Sequence, residues 1–258
     1  MRPTRPARWL VAFDLDGTLV GGAVAPELQQ ALEARSPDTA LAYVTGRTYP
    51  SAAELVKTEG LPWPDAWATG LGAEVRWGPS AWVDRAWRRR VGRHFSAGRV
   101  KRLLARSPGL ALQPPEALHR FKVSCWVSPD APEPLVASLS ERLRHSQIRA
   151  RLVLSSRRDL DVIPVAAGKG LALRWIASQL GVPAAATFAC GDSCNDLDML
   201  LAAGMAAVVS NAEPALSAQL PPEVYRASAP CASGALEGLT HWLGPRFGLA
   251  TPGPDAEG

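Results

Sequence analysis

The run Trp9-Leu-Val-Ala-Phe-Asp-Leu-Asp-Gly-Thr18 decides how the rest of the chain is read. Five apolar residues, Trp9 to Phe13, stop abruptly in a polar, glycine-containing loop, Asp14 to Thr18. A short apolar run bounded by a turn signal predicts a buried strand. The unit recurs downstream. Pro26 opens a helical stretch to about Arg35, a second apolar run from Ala40 to Val44 ends in Thr45-Gly-Arg47, and a further helical pattern runs from about Tyr49 to Glu59. Strands that alternate with helices predict a parallel sheet with helices on its faces.

The pattern changes after about Pro79. A long Arg-rich helix is expected from Asp84 to Arg106, then strands at Gly109–Leu112 and Phe121–Val127, a helix from about Pro132 to Ser146, and strands at Arg151–Leu154 and Leu160–Ile163. Clustered strands with two helices predict a small α+β unit. After Pro164 the alternation resumes: helix Gly168–Leu180, a strand Thr187–Cys190 that ends in Gly191-Asp-Ser-Cys-Asn-Asp196, helix Leu197–Ala203, strand Met205–Val209, a last helix Leu236–Leu243 and a frayed tail from Thr251. The expected fold class is therefore α/β. A Rossmann-like parallel-sheet core, residues 1–78 and 166–258, carries an inserted α+β unit at 79–165.

Composition is compatible with this division. The 258 residues are 47% hydrophobic and 20% charged, which is ordinary globular usage and excludes disorder, coiled coil and collagen. Four cysteines, Cys125, Cys190, Cys194 and Cys231, are too few for a disulfide scaffold and match no zinc spacing, so a reducing cytoplasm is expected. No run is long enough to span a membrane. The basic stretch Met1 to Arg8 precedes too short an apolar core for a secretory signal. The net charge of +4 hides an asymmetry: the insert has 17 basic and 7 acidic residues, net +10, whereas the remainder has 11 and 17, net −6.

Open α/β sheets bind ligands at the carboxyl ends of their strands. Three expected strands end there in polar groups: Asp14 and Asp16, Thr45 and Arg47, Asp192 and Asp196. If those strands are neighbours, four carboxylates, a hydroxyl and a guanidinium converge, and Lys169 opens a helix of the same unit. Such a density of carboxylates is relieved by a divalent cation, and hard oxygen ligands suit Mg²⁺. The set is an inventory for phosphoryl transfer. An aspartate can accept a phosphoryl group, a second can shuttle a proton, and Mg²⁺, lysine and backbone N–H groups can stabilise the charge in flight.

In order, Asp14-Leu-Asp-Gly-Thr-Leu-Val20, Thr45-Gly-Arg47, Lys169 and Gly191-Asp-Ser-Cys-Asn-Asp196 resemble the four motifs of the haloacid dehalogenase superfamily. The insert between the second and third resembles that superfamily's larger cap class. Phe121-Lys-Val-Ser124, Leu160-Asp-Val-Ile-Pro164, Gly168-Lys-Gly170, Val209-Ser-Asn-Ala212 and Ala229-Pro-Cys-Ala-Ser-Gly-Ala235 resemble its sucrose-phosphate phosphatase branch more closely. The resemblance implies an Mg²⁺-dependent phosphatase acting on a sugar phosphate, first choice sucrose 6-phosphate. It implies Asp14 as nucleophile and metal ligand, Asp16 as general acid and base with its carbonyl on the metal, Asp192 and Asp196 as metal ligand and ligand or support, and Lys169 and Thr45 as further catalytic residues, Lys169 orienting Asp14. It implies phosphate binding by Thr45, Lys169, Asn195 and the backbone of Leu15, Asp16, Gly17 and Gly46, and sugar contacts by Lys122 and Arg47. One departure stands out: Phe121 replaces the histidine usual before that lysine.

Other readings of the same residues stay open at this point. Asp-x-Asp-Gly alone also fits a calcium or turn loop. Thr45 alone fits a helix N-cap. Lys122 fits a solvated strand, Arg47 a loop brace, and Cys190 and Cys194 packing. The run Arg88-Arg-Arg90 near Trp82 and Trp87 fits a solvated helix face better than a nucleic-acid site. Trp63, Trp67 and Trp77 fit either hinge packing or contact with a sugar ring. The alternative functions are a phosphatase for another disaccharide or sugar-acid phosphate such as mannosylfructose phosphate, a phosphomutase, and a non-catalytic partner of a sugar-phosphate synthase. A monomer is expected.

Overall fold

A computed structural model describes residues 7–23, 25–128, 132–155 and 158–249. The basic N-terminal residues 1–6 and the tail from Thr251 lie outside them. In chain order the elements are β1 (Trp9–Phe13), α1 (Pro26–Glu33), β2 (Thr39–Val44), α2 (Tyr49–Thr58), β3 (Ala66–Thr69), β4 (Glu74–Trp77), β5 (Trp82–Val83), α3 (Arg85–Val91), α4 (Ala97–Leu104), β6 (Leu110–Leu112) and β7 (Val123–Val127). There follow α5 (Pro132–His145), β8 (Ala150–Ser155), β9 (Asp159–Pro164), α6 (Lys169–Leu180), β10 (Thr187–Gly191), α7 (Leu197–Leu200), β11 (Met205–Val208), α8 (Pro214–Ser217), β12 (Tyr225–Arg226) and α9 (Cys231–Leu243).

Among the described residues these strands form two sheets. The larger has the order β12-β11-β10-β1-β2-β3-β4-β5, and the smaller β6-β7-β9-β8. In the larger sheet β1 pairs in parallel with β10 on one side and β2 on the other, whereas β4 and β5 add an antiparallel edge. The apolar runs are continuous rather than alternating because both faces of the sheet are covered, with one buried cluster around Leu10, Ala42 and Ile176 and another around Phe13, Tyr43 and Leu239. The smaller sheet is antiparallel throughout and buries one face, Val123, Cys125, Leu160 and Val162, under Val100 and Leu104 of α4 and Leu139 and Leu143 of α5.

Several expectations change: the last helix starts at Cys231 rather than Leu236, strands β3 and β4 stand outside those expected, and two further differences concern the insert. The Arg-rich stretch from Asp84 to Arg106 is two helices, because it serves two cores. Trp87 and Val91 of α3 pack into the larger sheet's cluster, and Val100 and Leu104 of α4 pack under the smaller sheet. The chain turns between them at His94, with a φ of 59°, and Ser96 caps α4 by accepting from the Arg99 N–H. The larger sheet also continues past residue 79, since Trp82–Val83 is its edge strand. Three tryptophans of this region are packing residues, whereas Trp63 is 37% exposed with its ring 5.1 Å from that of Trp67. Trp67, Trp77 and Trp87 are fully buried. The Asp84 carboxylate accepts from the indoles of Trp77 and Trp175, both at 2.9 Å, and from two N–H groups at the start of α3. Burial raises the Asp84 pKa, but these donors hold it below the ordinary carboxylate range.

Candidate active site

The order β10-β1-β2 brings the loops after three adjacent parallel strands to one edge, so the polar groups predicted to meet do meet. Lys169, at the first turn of α6, is buried there with its Nζ 3.0 Å from Asp14 Oδ2 and 2.6 Å from Asp196 Oδ1. Gly168 before it has a φ of +153°, and Gly170 after it lies so close to the Asp198 carbonyl that no side chain fits. Asp192 accepts from the Thr18 hydroxyl at 3.0 Å. Asp196 is fully buried and its second oxygen accepts the Asp192 and Ser193 N–H groups at 3.1 and 3.0 Å, so it organises the loop as well as pairing Lys169.

One carboxylate oxygen from each of Asp14, Asp192 and Asp196 lies within 4.8 Å of the others. Burial pushes the Asp14 carboxyl well up; Lys169 pulls it back and the neighbouring aspartates push it further. Burial, then Asp196, raises Asp192 to about 7. Lys169 is lowered by burial, but Asp14 and Asp196 more than offset this and keep it charged. Asp14 Oδ1 is buried without a hydrogen-bond donor. An orphaned oxygen among crowded carboxylates fits a hard divalent cation such as Mg²⁺. Asp14 and Asp192 have the open oxygens to hold it; both Asp196 oxygens are already engaged.

The other expected residues fall into place unevenly. Asp16 is half-exposed and its carboxylate is gripped by Arg47 through Nε at 2.7 Å and Nη2 at 2.6 Å. Thr45 is buried and its Oγ1 accepts the Arg47 N–H at 3.1 Å. The N–H groups of Leu15, Asp16 and Gly46 meet no acceptor among the described residues and remain open as anion donors. Gly17 does not join them. Its N–H is taken by the Val20 carbonyl at 2.7 Å, and its φ of 76° makes the turn that lets Asp192 approach. Asn195 donates to Ser155 Oγ at 3.1 Å. Lys122 reaches the cleft from β7's approach, but its Nζ is bound to Ser124 Oγ at 2.8 Å and Asp161 Oδ1 at 3.1 Å. Phe121 is buried and packs against the larger core.

A cleft of about 630 Å³ joins these groups, floored by Asp14, Lys169 and Asp192 and roofed by Gln113, Lys122, Asp159 and Asp161. Further contacts tie floor to roof: Arg151 to Asp198 at 3.0 Å and His119 to Glu74 at 3.3 Å. Sequence reasoning missed several supports. Asn211 donates to the Gly17 carbonyl at 2.9 Å and accepts the Cys231 N–H at 2.8 Å, bracing the Asp14–Thr18 loop from the far side. Asp198 accepts the Gly170 N–H at 3.0 Å. Glu213 accepts the Cys194 N–H at 2.8 Å. Asn211 lies in a motif-like segment; Asp198 and Glu213 carry no local signal.

Residues 7–243 match the family model described as sucrose-6F-phosphate phosphohydrolase. The chain belongs to that family. Within it, the chain is 32% identical over 253 residues to the mannosylfructose-phosphate phosphatase of Agrobacterium fabrum, covering 95% of this chain and 100% of that one. It is 31% identical over 264 residues to the probable sucrose-phosphatase 2 of Arabidopsis thaliana, spanning 95% of this chain but only 62% of the plant protein. The sucrose-phosphatase of Synechocystis sp. PCC6803, solved with sucrose and phosphate, superposes with a TM-score of 0.85 at 32% identity over 92% of this chain and 98% of that one. A haloacid dehalogenase-like hydrolase of Bacillus subtilis shares the fold at a TM-score of 0.68 and 18% identity. The family's fold is thus that of the haloacid dehalogenase superfamily.

Proposed function

We propose that the chain hydrolyses a phosphorylated disaccharide, first choice sucrose 6F-phosphate, through an aspartyl phosphate on Asp14. The observation that carries this reading is the enclosed Asp14–Lys169–Asp196 cluster facing a cleft whose opposite wall is polar and belongs to the insert. A phosphoryl group seated over Asp14 meets the open N–H groups of Leu15, Asp16 and Gly46 together with Thr45. A carboxylate oxygen of Asp14 attacks phosphorus, and the bond to the sugar oxygen breaks. Asp16 gives that oxygen its proton, which requires the Arg47 grip to loosen or turn. Asp16 then takes a proton from water as the water oxygen attacks phosphorus; phosphate leaves and the Asp14 carboxylate is regenerated. A divalent cation held by Asp14, Asp192 and the Asp16 carbonyl would offset charge on the transferring phosphoryl group. The roof residues Lys122, Asp161 and Gln113 offer donors and acceptors to sugar hydroxyls. In this reading residues 79–165 act as the cap, apart from the edge strand and α3 that pack on the core.

Mannosylfructose phosphate is the second reading, favoured by the full-length match to the Agrobacterium enzyme. Phosphate release with Mg²⁺ over a panel of both disaccharide phosphates and common hexose phosphates tests both. One disaccharide phosphate is expected to exceed every hexose phosphate in kcat/KM by about a hundredfold or more. A flat profile rejects the disaccharide assignment, and isomeric sugar phosphate in place of free phosphate indicates a mutase.

A further inference from the structure

We infer that Trp126, with Arg158 and Asp159, forms a platform for the sugar ring farther from the phosphate, which extends the site beyond the residues described above. This rests on the disaccharide reading. Along β7, Val123, Cys125 and Val127 are buried under α4 and α5, so Ser124 and Trp126 stand on the opposite face of the sheet. That face carries part of the cleft's roof, Asp159 and Asp161, with Trp126 and Arg158 just outside the cleft's lining. Ser124 is in register with Asp161, and Trp126 with Asp159, and both aspartates line the cleft. Asp159 is oriented by Gln113, whose Nε2 donates to it at 2.7 Å.

Trp126 is 37% exposed, whereas Trp67, Trp77 and Trp87 are fully buried. Its indole N–H meets no acceptor among the described residues; those of Trp9 and Trp67 also lack one but are buried atoms, whereas Trp126 is an exposed residue. The Arg158 guanidinium stands 5.6 Å from the ring centroid. A single exposed indole is ordinary on a protein surface. This one continues a polar row that starts at Lys122, about 13 Å away at the rise of an extended strand. That reach exceeds one hexose ring and suits the second. A sugar ring has an apolar C–H face and a rim of hydroxyls. The indole packs the face, and the indole N–H, Arg158 and Asp159 serve the rim.

The test compares native enzyme, Trp126→Ala and Trp126→Phe on the preferred disaccharide phosphate and on p-nitrophenyl phosphate. In W126A the ratio of kcat/KM for the disaccharide phosphate over the aryl phosphate should fall about five- to tenfold, through KM rather than kcat. W126F should recover most of it. An unchanged ratio overturns the platform, as does a proportional loss on both substrates, which would mark Trp126 as structural. Failure of the native enzyme on every disaccharide phosphate is a different result: it removes the disaccharide reading itself and the platform with it.

Discussion

Lys169 shares its enclosure with Asp14 and Asp196, so the site sets two carboxylates against one ammonium even before Asp192 is added. Replacing it by methionine leaves buried carboxylates uncompensated, a change that costs about 3–5 kcal/mol when one partner of a buried pair is removed. K169M should therefore lower the thermal midpoint and abolish turnover, and Mg²⁺ should restore part of the stability but none of the activity. Calorimetry with and without the cation checks this. With all three aspartates ionised the cluster carries a surplus of two negative charges, which a divalent cation matches and protons otherwise supply. Asp192 sits at about 7, above its ordinary value. A raised carboxyl stabilises the fold while protonated, and that contribution is lost as pH rises through about 7. Mg²⁺ replaces the proton, so its stabilisation should be larger at pH 8 than at pH 6. An increment independent of pH would contradict the assignment. These residues were legible in the sequence because each stands where an apolar run breaks into polar groups. Asp198 and Glu213 were not, since an acidic residue in or before a short helix looks like any solvated one until the fold brings a backbone N–H against it.

The start of α6 sets local propensity against packing. An alanine in a helix is favoured over glycine by about 1 kcal/mol. At Gly170, however, a Cβ would overlap the Asp198 carbonyl and crowd the Met199 N–H, both rigid backbone. Packing wins: Gly170→Ala should destabilise by about 2 kcal/mol or more despite its better propensity, and it should reduce kcat by displacing Lys169. Denaturant unfolding beside steady-state kinetics tests the sign; a stabilised variant would show that α6 can slide at no cost. What was misread at the level of elements has two causes. The stretch 84–106 reads as one Arg-rich helix only if Gly92 and Ser96, a helix stop and an N-cap, are passed over; the turn at His94 divides Trp87 and Val91 from Val100 and Leu104 between two cores. The strands β3 to β5 were missed for another reason. They are two to four residues long, too short to show a period; only the β2–β3 pairing is non-local, while β3–β4 and β4–β5 are short hairpin pairings.

At the scale of the molecule, once α3 is counted with the core it packs on, residues 94–165 hold 12 basic and 6 acidic residues, net +6, and face a remainder of 16 and 18, net −2, across the cleft. The contacts that join the two halves, such as Arg151 with Asp198, are partly exposed, and a pair of that kind contributes at most about 1 kcal/mol. The attraction between the two sides of the cleft therefore depends more on the summed field than on any one bridge. The field acts twice in the same direction, since it draws the basic insert towards the acidic floor and draws an anionic substrate towards the insert. Both effects are screened over roughly 10 Å at 0.1 M salt. Raising NaCl from about 0.02 to 0.3 M should lower kcat/KM several-fold while leaving kcat within about twofold, because the buried Asp14–Lys169–Asp196 cluster is shielded from solvent ions. Arg89 and Arg90 lie on the exposed face of α3, free of ion pairs among the described residues, and contribute to the field without touching the cleft. Reversing both to glutamate should flatten the salt dependence, with a lowered thermal midpoint because both arginines lie in the last turn of α3 and Arg90 stacks on Trp87. A salt profile identical to that of the native chain would show that the charge on α3 is too distant to matter, and would confine steering to residues that line the cleft.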